Sequence, residues 1–319
     1  MKTTFPKVSV FLPTYNQRAF VNEAIESILI QDYPYLEIVV GDDGSVDGTQ
    51  EILLEYQRNY PELFKLILSP KNEGITANCN KILKECTGEY IALFAGDDVW
   101  LPGKLLKQVS LLENNPDAAL CVSKVEFFNS KTNQRMYISP SNDFNVENMN
   151  IIEIAYYIGS NGASFLVRRD AIPKHGYETS LPMVSDWLFV IEILRNGRVI
   201  FINEALARYR RHAGSMSNRP DLIFREHMQT LFLLETKYED MKEAIPAFIK
   251  KYILNNAISI LNSTNNQELK RNHLNAILKS MPNAIHVIFS SMPISSLTNI
   301  YFKEAIYRIT KKIKSAFRT

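Results

Sequence analysis

Asp97 and Asp98 follow a short apolar run, Tyr90-Ile-Ala-Leu-Phe94, and two small residues, Ala95 and Gly96. The run has the pattern of a buried strand in a parallel sheet. Small residues after it let backbone come close to another group. Leu101-Pro102 then marks the start of a helix with Pro in its first turn. Two acids at the carboxyl end of a buried strand are costly unless they bind a cation or hydrogen-bond a ligand. In open α/β sheets that edge is where ligands sit. A hard divalent ion that also holds phosphate oxygens accounts for both charges. A solvated Asp-Asp turn is the alternative reading.

A second acid pair, Asp42-Asp43, closes the apolar run 36–40 and opens the loop Gly44-Ser45-Val46-Asp47-Gly48-Thr49. These acids repel a pyrophosphate laid directly on them, but they can accept hydrogen bonds from a base N–H or from ribose hydroxyls. Asp47 reads as an N-cap or turn acid for the next helix. The first apolar run ends in Pro13-Thr14-Tyr15-Asn16, with none of the glycines that a dinucleotide-binding turn requires. In the second half, Asp186 opens a helical pattern at Ser185-Asp186-Trp187, where an acid is also an ordinary helix-start residue. Tyr209-Arg210-Arg211-His212 supplies two cations and an imidazole, for which the alternative is a solvated surface.

The elements that must position these groups follow from periodicity. Residues 8–12, 36–40, 64–68 and 90–94 read as strands, and 19–31, 49–58, 76–86 and 104–113 as helices between and after them. Strands alternating with helices of about ten residues imply βαβ units, a parallel sheet and right-handed crossovers. Residues 118–128 read as a longer strand and 131–150 as an exposed polar loop. A strand at 163–167, a helix at 184–195 and strands at 199–202 and 205–210 follow. From about residue 220 the pattern is helical, broken near residues 262–266, 282 and 293, which places a boundary at 217–220 and gives domains 1–219 and 220–319.

The chain has 319 residues, 46% hydrophobic and 22% charged, with a net charge of +2. That is enough chain for a full core and ordinary composition for a globular protein. The balance gives no electrostatic case for nucleic acid. Cys79, Cys86 and Cys121 make neither a disulfide framework nor a zinc spacing, and Cys79 and Cys86 read as core thiols. No signal-peptide pattern and no run of roughly 18 apolar residues is present, so a cytoplasmic location is expected.

Five motifs together give a specific resemblance: Val8-Ser-Val-Phe-Leu-Pro-Thr-Tyr-Asn16, Glu37-Ile-Val-Val-Gly-Asp-Asp-Gly-Ser-Val-Asp-Gly-Thr49, Asn72-Glu-Gly-Ile-Thr-Ala-Asn-Cys-Asn80, Gly88-Glu-Tyr-Ile-Ala92 and Gly96-Asp-Asp98. Their order and spacing resemble the family 2 glycosyltransferases over roughly the first 125 residues, and the likeness resumes at Ser185-Asp186-Trp187 and Tyr209–His212. The resemblance implies the GT-A fold: α/β, a mostly parallel sheet flanked by helices in a Rossmann-like manner, here with an α-helical C-terminal extension. It implies an inverting, metal-dependent transfer of a sugar from a nucleotide-diphosphate donor to a hydroxyl of a glycan or lipid-linked saccharide.

By the same resemblance, Pro13 and Tyr15 line the nucleotide base, Asp43 accepts from it, Asn80 belongs to the donor site, and Asp97 contacts ribose. Asp98, taken as surface-facing, holds Mg²⁺ or Mn²⁺ with His212 near the metal or diphosphate. Asp186 is the acceptor base, because inversion at an anomeric carbon needs a carboxylate to take the acceptor proton. The family often has Asp where Ala95 stands and Arg where Cys79 stands, so one acid and one cationic contact are missing. Absence of a Gln-x-x-Arg-Trp segment points to single additions over processive synthesis. A sugar-phosphate nucleotidyltransferase and a non-catalytic nucleotide-sugar binding module are the rival readings. Residues 300–319 carry apolar positions flanked by Lys and Arg with Glu304 as the lone acid, the composition of a helix that docks reversibly on an anionic membrane face.

Overall fold

The computed structural model describes residues 5–181, 185–215 and 220–248. The chain divides into two units, Met1–Lys237 and Tyr238–Thr319. The second begins 18 residues after the boundary expected from the change in pattern, because helix α7 (Pro220–Lys237) belongs to the first. Of the second unit, a 3-10 turn (Glu239–Met241) and a short helix α8 (Ala244–Phe248) are described. The helix breaks expected near residues 262–266, 282 and 293, and the basic stretch 300–319, lie outside the described residues.

The first unit opens as the sequence predicts. Strands β1 (Val8–Thr14), β2 (Leu36–Asp42), β3 (Phe64–Leu68) and β4 (Tyr90–Leu93) are separated by helices α1 (Val21–Leu29), α2 (Thr49–Asn59) and α3 (Ile75–Glu85). β1 and β4 are buried along their whole length, as the mostly apolar central strands of a parallel sheet are. β1 pairs in parallel with β2 on one side and β4 on the other, and β2 pairs with β3. Both acid pairs are thereby brought to the carboxyl edge of one sheet.

A two-residue strand β5 (Val99–Trp100), absent from the sequence-based expectation, follows the second acid pair and leads to α4 (Lys104–Glu113). Trp100 fixes it: its backbone N–H donates 3.0 Å to Ser27 Oγ on α1, while the indole N–H donates 2.8 Å to the Ala163 carbonyl. β6 (Ala118–Asn129) then runs long and buried, and β7 (Arg135–Ser139) returns beside it. β7 lies inside the stretch expected to be a loop. Its residues 135–138 are all exposed, so no alternation marked it.

α5 (Ile151–Ile158) is capped by Asn150, whose side chain accepts from Glu153 N–H while the Glu153 carboxylate accepts from Asn150 N–H. A 3-10 segment (Gly159–Ser164) and β8 (Leu166–Arg168) occupy the place of the expected strand 163–167. Helix α6 (Ser185–Leu194) agrees with expectation, and the two expected strands near 199–210 are one irregular strand, β9 (Arg198–Arg211). The strand order is β3-β2-β1-β4-β8-β6-β9-β5, with β7 on β6. β8 is antiparallel to β4 and to β6, and β9 is parallel to β6 but antiparallel to β5. This mixed half carries the end of β9 back to the acids that follow β4. The α/β architecture is that expected for the GT-A fold. Among the described residues no helix is long and apolar enough to cross a membrane.

Candidate active site

The turn after β4 is tight because its backbone is tied to β1. Phe94 N–H donates to the Phe11 carbonyl at 3.1 Å and Asp98 N–H to the Ala95 carbonyl at 3.2 Å. Gly96 is required here. A Cβ would lie 2.2 Å from Gln17 Oε1 and 2.8 Å from Thr14 Cγ2. The turn therefore closes against the β1 end with no room for a side chain.

The two acids leave this turn in different directions. Asp98 is 3% exposed, and its Oδ1 accepts the Arg210 backbone N–H at 3.0 Å. It is not the surface-facing acid that the sequence suggested. Burial, with Asp97 beside it, pushes its carboxyl well above the usual carboxylate range, and the Arg210 N–H and guanidinium oppose this. Asp97 is half-buried, and its Oδ2 lies 3.0 Å from Nε2 of His212. The β5–β9 pairing produces this meeting: Val99 stands opposite Arg208, so the chain leaving β9 at Arg211 presents His212 to the acid turn.

Arg210 does not lie on a solvated surface, the alternative read from the sequence. It is 6% exposed, its Nε donates 2.7 Å to the Asp97 carbonyl, and its Nη2 pairs with Glu23 on α1.

At the β2 end the two acids also differ. Asp42 is wholly spent on structure: it accepts from Thr14 Oγ1, Ser45 N–H and Oγ, and Gln50 Nε2. Asp43, 3% exposed, accepts Glu73 N–H at 2.8 Å on one oxygen and Gly74 N–H at 2.9 Å on the other. Each oxygen has a further lone pair for a ligand N–H. Pro13 is buried at the end of β1, and Tyr15 just beyond it is 46% exposed. Asp47 receives Thr49 N–H and Thr49 Oγ1 as well as Arg18 N–H, as a helix-start acid should.

Asn80 does something other than expected. Its Nδ2 donates to the Tyr177 carbonyl at 2.9 Å and its Oδ1 accepts Tyr177 N–H at 2.8 Å, so its amide clamps the segment leading to α6. The neighbouring Asn78, which the sequence did not single out, is the one that touches β2, donating 2.7 Å to the Gly41 carbonyl.

Asp186 stands in the first turn of α6, where its Oδ1 accepts the Trp187 N–H at 2.8 Å. The residue is exposed to solvent, with protein packed around the base of its side chain. Burial pushes its pKa up to about 6; the Trp187 N–H opposes this and Glu226 adds to it. Such a carboxyl is poised as a proton acceptor near neutral pH. Burial raises the Cys79 thiol and the Tyr177 phenol; the charges of Asp186 and Asp43 add to the first, and Cys79 and Asp186 add to the second, which sets these groups in one neighbourhood. Sequence reasoning also missed His227 on α7, whose ring lies 4.6 Å from that of Trp187 and whose burial lowers its pKa to about 4. Its position within an ordinary helical run offered no signal.

A carboxylate and an imidazole 3.0 Å apart and partly open suit a divalent cation of the Mn²⁺ or Mg²⁺ type, with the remaining positions left for ligand oxygens and water. Among the described residues no group of three or more His, Cys, Asp or Glu side chains gathers into a complete metal cage.

Comparison with known proteins agrees with the fold. The chain is 32% identical over 212 residues to the uncharacterized protein Rv1520 of Mycobacterium tuberculosis, a match covering 65% of this chain and 59% of that protein. The chain thus spans about three-fifths of that relative's length. The fold resembles that of S. aureus TarS 1-349 in complex with UDP-GlcNAc, with a TM-score of 0.65 at 19% identity, over 98% of this chain and 91% of that one. It also resembles the mannosyltransferase PcManGT from Pyrobaculum calidifontis in complex with GDP-Man and Mn²⁺, with a TM-score of 0.58 at 16% identity, over 99% and 87% of the two chains. The family model described as "Glycosyl transferase family 2" matches residues 9–176, which include Asp43, Asp97 and Asp98. The chain belongs to glycosyl transferase family 2.

Proposed function

We propose that the protein is an inverting, metal-dependent glycosyltransferase that moves a sugar from a nucleotide-diphosphate donor to a hydroxyl of a glycan or lipid-linked saccharide, as in the building of cell-surface polysaccharides. The observation that carries this reading is the meeting of Asp97 and His212 at 3.0 Å on the sheet edge that also presents Asp43. In this account Pro13 and Tyr15 line the base, Asp43 accepts a base N–H, and Asp97 with His212 holds the cation. The family resemblance implied the metal at Asp98 and ribose at Asp97. Burial of Asp98 against Arg210 N–H favours Asp97 as the metal acid and leaves Asp98 to orient the turn. Asn80 acts through the Tyr177 segment and not on the nucleotide.

Bound Mn²⁺ or Mg²⁺ supplies electrostatic stabilisation of the charge that grows on the departing diphosphate. Asp186 takes the proton of the acceptor hydroxyl as its oxygen bonds to the anomeric carbon. The bond from that carbon to the diphosphate oxygen breaks on the opposite face, which gives inversion. A pKa of about 6 leaves Asp186 mostly ionised at neutral pH and still basic enough to accept a proton.

A nucleotidyltransferase is disfavoured by the Pro13-Thr14-Tyr15-Asn16 turn, which has neither glycine nor arginine. A binding module has no need of a carboxyl with a raised pKa opening α6. Peripheral docking through residues 300–319 on the cytoplasmic face remains part of the proposal, on the sequence alone. The test of the function is nucleoside diphosphate release from a panel of nucleotide sugars, with and without Mn²⁺. Metal-stimulated release supports the reading, and its absence with every donor removes it.

A further inference from the structure

Arg210 is a buried cation that contacts the candidate metal site without facing it. We propose that Arg210 is a positioning residue: held by Glu23 and walled by Phe20 and Phe128, it fixes the Asp97 carboxylate and the His212 imidazole at the separation that a divalent cation requires. The inference rests on the reading of Asp97 and His212 as the ion-holding pair.

Three elements converge on this one side chain. Its backbone N–H donates to Asp98 Oδ1 at 3.0 Å and its Nε donates to the Asp97 carbonyl at 2.7 Å, so one residue of β9 grips both members of the acid turn. Its Nη2 pairs with Glu23 on α1. The guanidinium carbon lies 4.9 Å from the centre of the Phe20 ring and 4.7 Å from that of Phe128 on β6. The Phe20 ring also stands 4.8 Å from the His212 ring, so the wall that seats the guanidinium seats the imidazole too. His212 is two residues along the chain from this anchor. Its backbone N–H is held by Ser215 Oγ at 3.2 Å.

The chemistry selects arginine. A planar fork can donate from Nε to one partner and from Nη2 to another while its faces rest on aromatic rings; a lysine ammonium is a point charge and cannot span both. Glu23 has a second effect. A guanidinium beside a cation site repels the incoming ion, and the Glu23 carboxylate offsets that charge. Removing the fork loosens Asp97, and removing the Glu23 charge leaves the repulsion unbalanced, so both changes weaken cation binding. A residue that merely filled the core would alter stability alone.

The full chain, freed of metal, is titrated with Mn²⁺ alone to millimolar concentration, and free ion is read by electron paramagnetic resonance. Thermal unfolding is recorded on the same samples. R210K and E23Q are compared with wild type and with L112A, a core truncation on α4 that bonds to none of these groups. Expected are Mn²⁺ affinities about tenfold weaker for R210K and about threefold weaker for E23Q, with L112A unchanged in affinity despite a lower Tm. Because Glu23 is half exposed, E23Q tests the inference even if R210K fails to fold. Wild-type affinity in E23Q and in any folded R210K overturns the positioning role alone. A wild-type chain that takes up no Mn²⁺ overturns the ion-holding pair and this inference with it. Weakening in L112A equal to that in R210K also overturns the role, since affinity then follows stability.

Discussion

Nε2 of His212 lies 3.0 Å from Oδ2 of Asp97, across a separation of 115 residues. The antiparallel pairing of β5 with β9 brings the two together, setting the end of β9 beside the turn that carries Asp97. Asp98, the neighbour in sequence, is instead turned inward to the Arg210 N–H. The two acids should therefore respond differently to neutralisation. D97N is expected to reduce metal-stimulated turnover by about 10²-fold or more, in the range seen when one electrostatic partner of a developing charge is lost. D98N retains the accepting oxygen and should keep Mn²⁺ affinity within about threefold. Metal titrations of both variants decide it, and the reverse order returns the ion to Asp98.

Asp186 should behave as a base. D186N is expected to lower the transfer rate by about 10²–10⁴-fold with donor affinity barely changed. In wild type, kcat/KM for the acceptor should rise with pH through an apparent pKa near 6, as the carboxyl ionises. Steady-state kinetics across pH 5 to 8 check both. A loss confined to donor binding takes Asp186 out of the base role.

Lys104 offers a stability test away from the site. It is fully buried at the start of α4, its ammonium has no hydrogen-bond partner, and it stands 4.2 Å from the centre of the Trp100 ring. Burial lowers its pKa to about 7, against a weaker opposing pull from Cys121. The ring face favours the charged form, but cation–π contacts of about 2 kcal/mol do not match the several kcal/mol of removing an ammonium from water. The folded-state pKa lies below the unfolded value. Between about pH 7 and pH 10 the unfolded chain binds the proton that the folded chain refuses, so stability falls as pH falls through that window. The slope should approach 1.4 kcal/mol per pH unit, roughly, and flatten below pH 7 where both states are protonated. K104M should remove the slope and be more stable than wild type at pH 7. Denaturant unfolding at pH 7, 8 and 9 measures it, and parallel curves for the two proteins contradict the neutral-amine account.

Much of this was legible in the sequence, and the rest was hidden for identifiable reasons. β3 and α4 fall on the expected residues because an apolar run or a helical stripe is decided locally. β7 was hidden because Arg135, Met136, Tyr137 and Ile138 are all exposed on an edge strand, leaving no buried face to impose alternation. At residues 159–164, Gly159 and Gly162 allow a 3-10 turn where the apolar residues that follow suggested a longer strand. The site acids were visible as types but not as directions. Nothing local tells Asp97 from Asp98, or the ligand-ready Asp43 from the self-satisfied Asp42. Those assignments depend on Arg210, Glu73 and Gly74, which reach them only through tertiary pairing. Asn80 sits in a motif for the same reason of shape: it holds Tyr177 and so the approach to α6.

The most direct test of the central claim is a single reaction followed by proton NMR. Wild-type protein, Mn²⁺, and the nucleotide sugar that gives the greatest metal-stimulated release of nucleoside diphosphate are incubated with acceptor glycans, and the anomeric coupling of the new linkage is read. The account predicts a product with the opposite anomeric configuration to the donor, formed only with metal and lost in D186N. A product of retained configuration, or the same yield after chelation of all divalent metal, would contradict it.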